Sequence, residues 1–168
     1  MKPELRTAYK DWFNQEDSSW AFTGTAKQVL ESPHHNQSRR WITVNDLEKN
    51  VAFFMERMSR DLLGRKAVRQ GNRLGYCGVI EGGELPAKYG GKRYHVHLGI
   101  SRVPTTSETV DICFSASSRW CRSKWGYPDM KMDPLNETSD QFAWTNYLLK
   151  AVDDTSTERL ICNRAFQH

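Results

Sequence analysis

Apolar and polar positions recur along this chain with two periods, and each change of period marks an element. In WAFTGTAK (20–27) the period is two, with Trp20 and Phe22 on one face and Thr23 and Thr25 on the other, which predicts a first strand. RYHVHLGI (93–100) alternates in the same way: Tyr94, Val96, Leu98 and Ile100 share one face, and His95, His97 and Gly99 share the other. GYCGVIE (75–81) is rich in β formers, and the glycine-rich EGGELPAKYGGK supplies a turn, so 75–81 and 93–100 predict a β-hairpin. Between the first strand and this hairpin the period lengthens. Leu47, Val51, Phe54, Met58 and Leu62 recur at helical spacing, with Asn45 as the expected cap, Glu48 closing its box and Gly64 as the stop.

Further on, SASSRWCRSKW predicts a helix over roughly 115–125, while TVDICF (109–114) alternates like a strand and fits either state. MKMDPLN (130–136) predicts a short strand. Thr138 with Gln141 predicts a capping box for a helix through about Val152, and RLICNRAF (159–166) predicts an edge strand. SPHHNQSRR (32–40) is expected as a loop, with His34 and His35 solvated. The order strand, helix, hairpin, helix, strand, helix predicts an α+β domain, an antiparallel sheet with helices packed on it. No repeat or Pro/Ser-rich linker divides the 168 residues, so one domain over 1–168 is expected.

Composition narrows the setting. Hydrophobic residues make up 38% and charged ones 26%, and no apolar run approaches the ~20 residues that cross a bilayer, so no membrane partner is expected. The first residues lack the apolar stretch of a secretory signal, which predicts a cytoplasmic or other intracellular protein. Cys77, Cys113, Cys121 and Cys162 form no CxxC pair and are expected as reduced thiols; the NET at 136–138 then carries no weight as a glycosylation signal. The net charge of +4 matters through its distribution. SRRW (38–41), GRKAVRQGNR (64–73), GKRYH (91–95) and RWCRSKW (119–125) set cations beside aromatics or glycine. Such patches suit phosphates and unpaired bases, and they equally suit a solvated basic surface. The candidate phosphate contacts are Arg39, Arg40, Arg65, Lys66, Arg69 and Arg73.

The histidine face also admits two readings. Residues two apart on a strand lie roughly 6.6 Å apart, and leaning side chains can bring both imidazoles onto one ion with ~2 Å bonds. His95 and His97 are therefore either a bidentate metal site or two solvated strand residues. Opposed residues of a hairpin point to the same side, so Glu81, at the end of the outgoing strand, is placed to complete a His-His-carboxylate set that leaves coordination positions open. Its alternative is simply to begin a polar turn. In WTNYLLKA (144–151), helical spacing gathers Phe142, Leu148, Leu149 and Val152 on one side and Ala143, Asn146, Tyr147 and Lys150 on the other. Tyr147 thus stands off the apolar stripe, with Lys150 as its helical neighbour. A phenol attacks poorly until its proton is removed or its anion is stabilised.

FTGTAK, VIEGG, HVHLGI and NYLLK resemble, in order and spacing, the HUH endonucleases, and within them the single-tyrosine rolling-circle replication initiators (Rep proteins); the resemblance runs from about Trp20 to Lys150. It implies a central antiparallel sheet with the tyrosine helix beside a metal. It further implies that His95 and His97 bind a divalent cation, commonly Mg²⁺ or Mn²⁺, with Glu81 as the third ligand, Tyr147 as nucleophile and Lys150 as the lysine of its motif. The implied activity is nicking and joining of single-stranded DNA at an origin, hairpin-bearing or not, on a plasmid or virus, through a 5′-phosphotyrosine. Thr23, Thr25, Lys27, Lys92 and Arg93 join the DNA contacts on this basis.

The chain departs from the pattern in places. Gly24 stands where the first motif often carries a hydrophobic residue, and Ala151 rules out a paired tyrosine one turn on. No GxxxxGK[ST] occurs, since Pro86 precedes Gly91-Lys92 and Arg93 follows, so a separate helicase is expected. A single-tyrosine transposase or relaxase would use the same chemistry. A non-catalytic single-strand nucleic-acid binder, or a phosphoesterase without a covalent step, would keep the basic patches and lose the nucleophile.

Overall fold

The computed structural model describes residues 18–30, 40–83, 93–153 and 160–163, with residues 4, 7, 8, 10 and 11; of 151–153 only the backbone is described. It is an α+β fold. The strands are β1 (Trp20–Ala26), β2 (Val29–Leu30), β3 (Arg40–Trp41), β4 (Gly75–Glu81), β5 (His95–Ser101), β6 (Gly126–Pro134) and β7 (Leu160–Cys162). The helices whose whole span is described are α1 (Val44–Leu62), α2 (Arg65–Arg69), α3 (Thr109–Cys121) and α4 (Thr138–Asp153). Five strands form one antiparallel sheet in the order β6-β1-β5-β4-β7, and β2 and β3 pair separately.

The sheet has two unlike faces because its central strands alternate. Trp20, Phe22, Tyr76, Ile80, Val96, Leu98 and Ile100 are buried in the larger core with Leu47, Val51, Phe54 and Met58 of α1 and with Ile112, Ala116 and Trp120 of α3. An aromatic triangle sits at its centre: Phe22–Phe54 at 4.9 Å, Phe22–Trp120 at 5.3 Å and Phe54–Trp120 at 5.4 Å between ring centroids, the last two edge-on. On the other face Cys77 and Val79 meet Leu148 and Leu149 of α4 in a smaller cluster, flanked by Trp144, Leu160 and Cys162. Thus α1 and α3 back the sheet, while α4 covers part of the histidine face.

Several expected boundaries move, each for a visible reason. The first helix is capped by Thr43, whose hydroxyl accepts from Asp46 N–H at 3.2 Å while the Asp46 carboxylate accepts from Thr43 N–H, so the box lies two residues before Asn45 and Glu48. Residues 109–114 are helical, because Ile112, Ala116 and Trp120 bury at helical spacing and leave Val110 and Phe114 exposed. That helix ends at Cys121, not near 125. Buried Asn50 draws the following chain away: its Nδ2 donates to Ser123 Oγ at 2.9 Å, its Oδ1 accepts from Trp125 N–H at 3.1 Å, and Ser123 Oγ accepts from Gly126 N–H. The freed backbone starts β6 at Gly126, four residues before the expected Met130. At α4 the Asp140 carboxylate accepts from Glu137 N–H, half of a capping box set one residue before Thr138 and Gln141. Phe142, expected on the apolar side, is exposed, and Thr145 is buried in α4. The hairpin and the edge strand β7 are present, while the 84–92 connection and residues 31–39, with His34 and His35, lie outside the described residues.

Gly24 is occupied ground. A Cβ there would lie 2.7 Å from both the Phe22 and Trp120 rings, so α3 supplies the bulk that a side chain at 24 would otherwise contribute. Gly24→Leu should therefore overpack the triangle and destabilise by about 1–3 kcal/mol. Adding Trp120→Leu should recover part of that loss; urea midpoints of the two single variants and the double measure the coupling, and strict additivity would show that the two side chains do not compete for one volume.

Candidate active site

Register builds the site. Thr23 and Thr25 on β1 lie opposite His97 and His95, and on the other flank Val79 and Glu81 of β4 lie opposite the same two histidines. All alternate toward the face that α4 partly covers. Gly78 keeps β4 and β5 close at this point, since a Cβ would fall 1.9 Å from the His97 carbonyl oxygen. The imidazoles stand nearly parallel, 14° apart with centroids at 6.2 Å.

Each ring is held from behind. Thr23 Oγ1 is 3.1 Å from His97 Nδ1, and Thr25 Oγ1 is 3.4 Å from His95 Nδ1. The Thr25 hydroxyl donates to Asp129 Oδ2 of β6 at 2.9 Å. Nε2 of each ring is thereby left to the front of the site. There, His97 Nε2 meets Glu81 Oε2 at 3.2 Å and the Tyr147 hydroxyl at 3.4 Å. Glu81 is opposed to His95 yet reaches diagonally to His97.

Tyr147 comes to this point on α4, which packs on β4 through Leu148 and Leu149. Its ring meets His97 edge-on at 5.0 Å and stacks on Trp144 at 5.3 Å and 17°. It remains 43% exposed, whereas His97 is 3% exposed, so the phenol is accessible from solvent above a buried imidazole. Lys150 is exposed one turn further along the helix and, among the described residues, makes no ion pair.

Burial holds the His97 imidazole below its ordinary value, and the Glu81 charge and hydrogen bond pull it back up. Burial, and after it the Glu81 charge, push the Tyr147 phenol up. As it stands, then, the site keeps its tyrosine protonated. A cation accepted by Glu81 would remove part of that penalty. The donor set suits one: two imidazoles with Nε2 facing forward and a carboxylate are the ligands of open divalent sites. Among the described residues no three His, Cys, Asp or Glu side chains already close on a common point, so His95 and Glu81 would have to turn toward each other.

The other candidates separate by location. Thr23 and Thr25 spend their side chains on the histidine rings. Arg93 precedes β5 and lies 4.9 Å over the exposed Tyr127 ring, at the end of the sheet where His95 sits. Lys27, half-buried, follows β1 and donates its N–H to Trp125 O at 2.8 Å. Arg40 pairs with Asp46. Arg65, Arg69 and Arg73 gather with Arg60 and Glu56 around a polar hollow on α1 and α2, in the layer behind the sheet, and Lys66 is exposed on the same short helix. Arg39 and Lys92 lie outside the described residues. Asp129 and Trp144 are site residues that sequence reasoning missed. Trp144 carried a usable signal, one turn before Tyr147; Asp129 carried none, because it precedes the stretch read as a strand.

No family model, curated protein or solved structure matches the chain significantly. Among the described residues no helix is long and apolar enough to cross a membrane.

With burial as the main cause, His97 in metal-free protein should titrate below 6.5, and Glu81→Gln should move it lower still. The sign for stability follows: the unfolded chain takes up the proton first, so the His97 contribution is complete above about pH 6.5 and is lost as pH falls from there through the lower folded-state value. Ring-proton NMR titration of the two proteins checks this; a rise on losing Glu81 would mean that the carboxylate favours the neutral ring.

Proposed function

We propose that this chain is a metal-dependent single-strand DNA endonuclease and strand transferase of the HUH kind, most like a single-tyrosine rolling-circle replication initiator. The observation that supports this reading is the meeting at His97 Nε2 of two groups from separate elements: the Tyr147 hydroxyl at 3.4 Å and the Glu81 carboxylate at 3.2 Å. A solvated strand face would give no reason for an exposed phenol, on a helix otherwise anchored by leucines, to sit over this histidine.

In this mechanism His95, His97 and Glu81 would hold Mg²⁺ or Mn²⁺, which would supply charge withdrawal from a bound phosphate and offset the Glu81 charge that pushes the phenol up. Thr23 and Thr25 keep the rings presented. Trp144, stacked on Tyr147, limits the phenol to a narrow range of approach. The Tyr147 oxygen attacks phosphorus in line, and the bond from phosphorus to the 3′ oxygen breaks. The proton lost by the phenol is balanced by the one the 3′-hydroxyl gains. One phosphodiester is exchanged for another, so a later 3′-hydroxyl can reverse the step without ATP. The Lys150 ammonium, exposed beside Tyr147, lies on the side from which a DNA phosphate approaches, and the Arg93–Tyr127 pair offers a cation and an aromatic face to the strand near His95.

A transposase or relaxase would share every step, and cleavage of a hairpin-bearing origin in preference to transposon ends separates these roles. Incubation with labelled single-stranded origin DNA and Mn²⁺ should give a covalent adduct on denaturing gels. Tyr147→Phe or EDTA should abolish it, and an adduct that survives either would overturn the proposal. His95→Ala should slow cleavage on the order of 10²–10³-fold while DNA binding is largely kept, because backbone and base contacts come from other residues.

A further inference from the structure

We infer that Asp129 is a positioning residue that, acting through Thr25, fixes the tautomer of His95. An ionised carboxylate can only accept, so the 2.9 Å contact between Asp129 Oδ2 and Thr25 Oγ1 consumes the single proton of the Thr25 hydroxyl. Toward His95, the same oxygen then has only lone pairs to offer. Its 3.4 Å contact with Nδ1 is a hydrogen bond only if Nδ1 carries the proton. Neutral His95 is therefore held as the Nδ1–H form, with the lone pair on Nε2, the nitrogen on the open side of the ring. Thr25 is 4% exposed, so solvent is a poor substitute partner for its hydroxyl.

His97 provides the contrast within the same site. Its Nε2 faces the Glu81 carboxylate at 3.2 Å, which again can only accept, and its Nδ1 faces the Thr23 hydroxyl at 3.1 Å. Here the carboxylate lies in front of the ring, so the neutral ring keeps its proton on Nε2 and accepts from Thr23 at Nδ1. One imidazole is set as a ready Lewis base and its neighbour is set the other way. His95 would be the imidazole ready to accept a cation as it stands, whereas for His97 to do so its proton would have to change nitrogen and the Thr23 hydroxyl turn round. The inference rests on the metal-binding reading for its purpose, but the tautomers themselves are properties of the metal-free chain.

The test is ¹H–¹⁵N long-range correlation NMR of the histidine rings in metal-free protein at about pH 8, where an ordinary imidazole is neutral. His95 should show a protonated Nδ1 and His97 a protonated Nε2. In Asp129→Ala the Thr25 hydroxyl is free to donate to His95, so the Nε2–H form of His95 should appear, and Mn²⁺ affinity by calorimetry should fall about 10–100-fold. Thr25→Val should do the same, with no added loss in the double variant. Thr25→Ser and Asp129→Asn keep a hydroxyl and an accepting oxygen, and should retain the wild-type tautomer. A wild-type His95 protonated at Nε2, or unchanged tautomer and Mn²⁺ affinity in Asp129→Ala, would overturn the inference. A missing DNA adduct would count against the nuclease reading alone, since neither measurement involves DNA.

Discussion

The register of β5 between β1 and β4 is the constraint from which everything else follows. Strand side chains alternate, so this one pairing decides at once that Val96, Leu98 and Ile100 enter the aromatic core and that His95 and His97 face α4. A slip of one residue would drive two imidazoles into the Phe22–Phe54–Trp120 cluster and turn the apolar set to solvent. The core therefore enforces the geometry of the site: the energy that fixes where the histidines point comes from residues on the opposite face that never touch them. Gly78 and Gly24 fit this scheme, one permitting the strands to close at His97 and the other yielding its volume to Trp120.

What could be read from the sequence was what has a short period. Alternation alone separates the histidines from the apolar set, and helical spacing alone takes Tyr147 off the buried stripe. The Glu81–His95 opposition needed one further step, the inference of a hairpin, and the ladder has it in that register. Helix caps were legible only in kind. Thr43-x-x-Asp46 and Asn45-x-x-Glu48 both satisfy the capping pattern, and nothing local ranks them; the box forms at Thr43, with Asp46 also paired to Arg40 of β3. Asn50 was hidden for a different cause. A polar residue in an amphipathic helix reads as surface until a loop from elsewhere is brought to it, as Ser123 and Trp125 are.

The role of the threonines shows the limit most clearly. Thr23 and Thr25 were legible as the polar face of β1, and the family resemblance implied contact with DNA. Only the pairing of β1 with β5 turns their hydroxyls onto histidine nitrogens, and only β6, whose pairing shifts between Gly24 and Ala26, brings Asp129 within reach of Thr25. The arginines that looked most like a DNA surface, Arg65, Arg69 and Arg73, lie on the helical layer away from the histidines, around Glu56. Clustering in sequence revealed a charge density but not which side of the sheet would carry it.

Tyr147 and the histidine it meets belong to different packing units. His95, His97 and the threonines are part of a sheet whose far face is locked into the large core, whereas Tyr147 rides on a helix seated by Cys77, Val79, Leu148 and Leu149 with Trp144, Leu160 and Cys162 around them. Opening free energies scale with what is buried locally, so α4 can lift at a fraction of the cost of unfolding the protein. Assembly of the site is therefore a separate equilibrium from folding, set by a seam of a few side chains. If Tyr147 carries a DNA end as proposed, that end would be tethered to an element seated on the smaller of the two clusters.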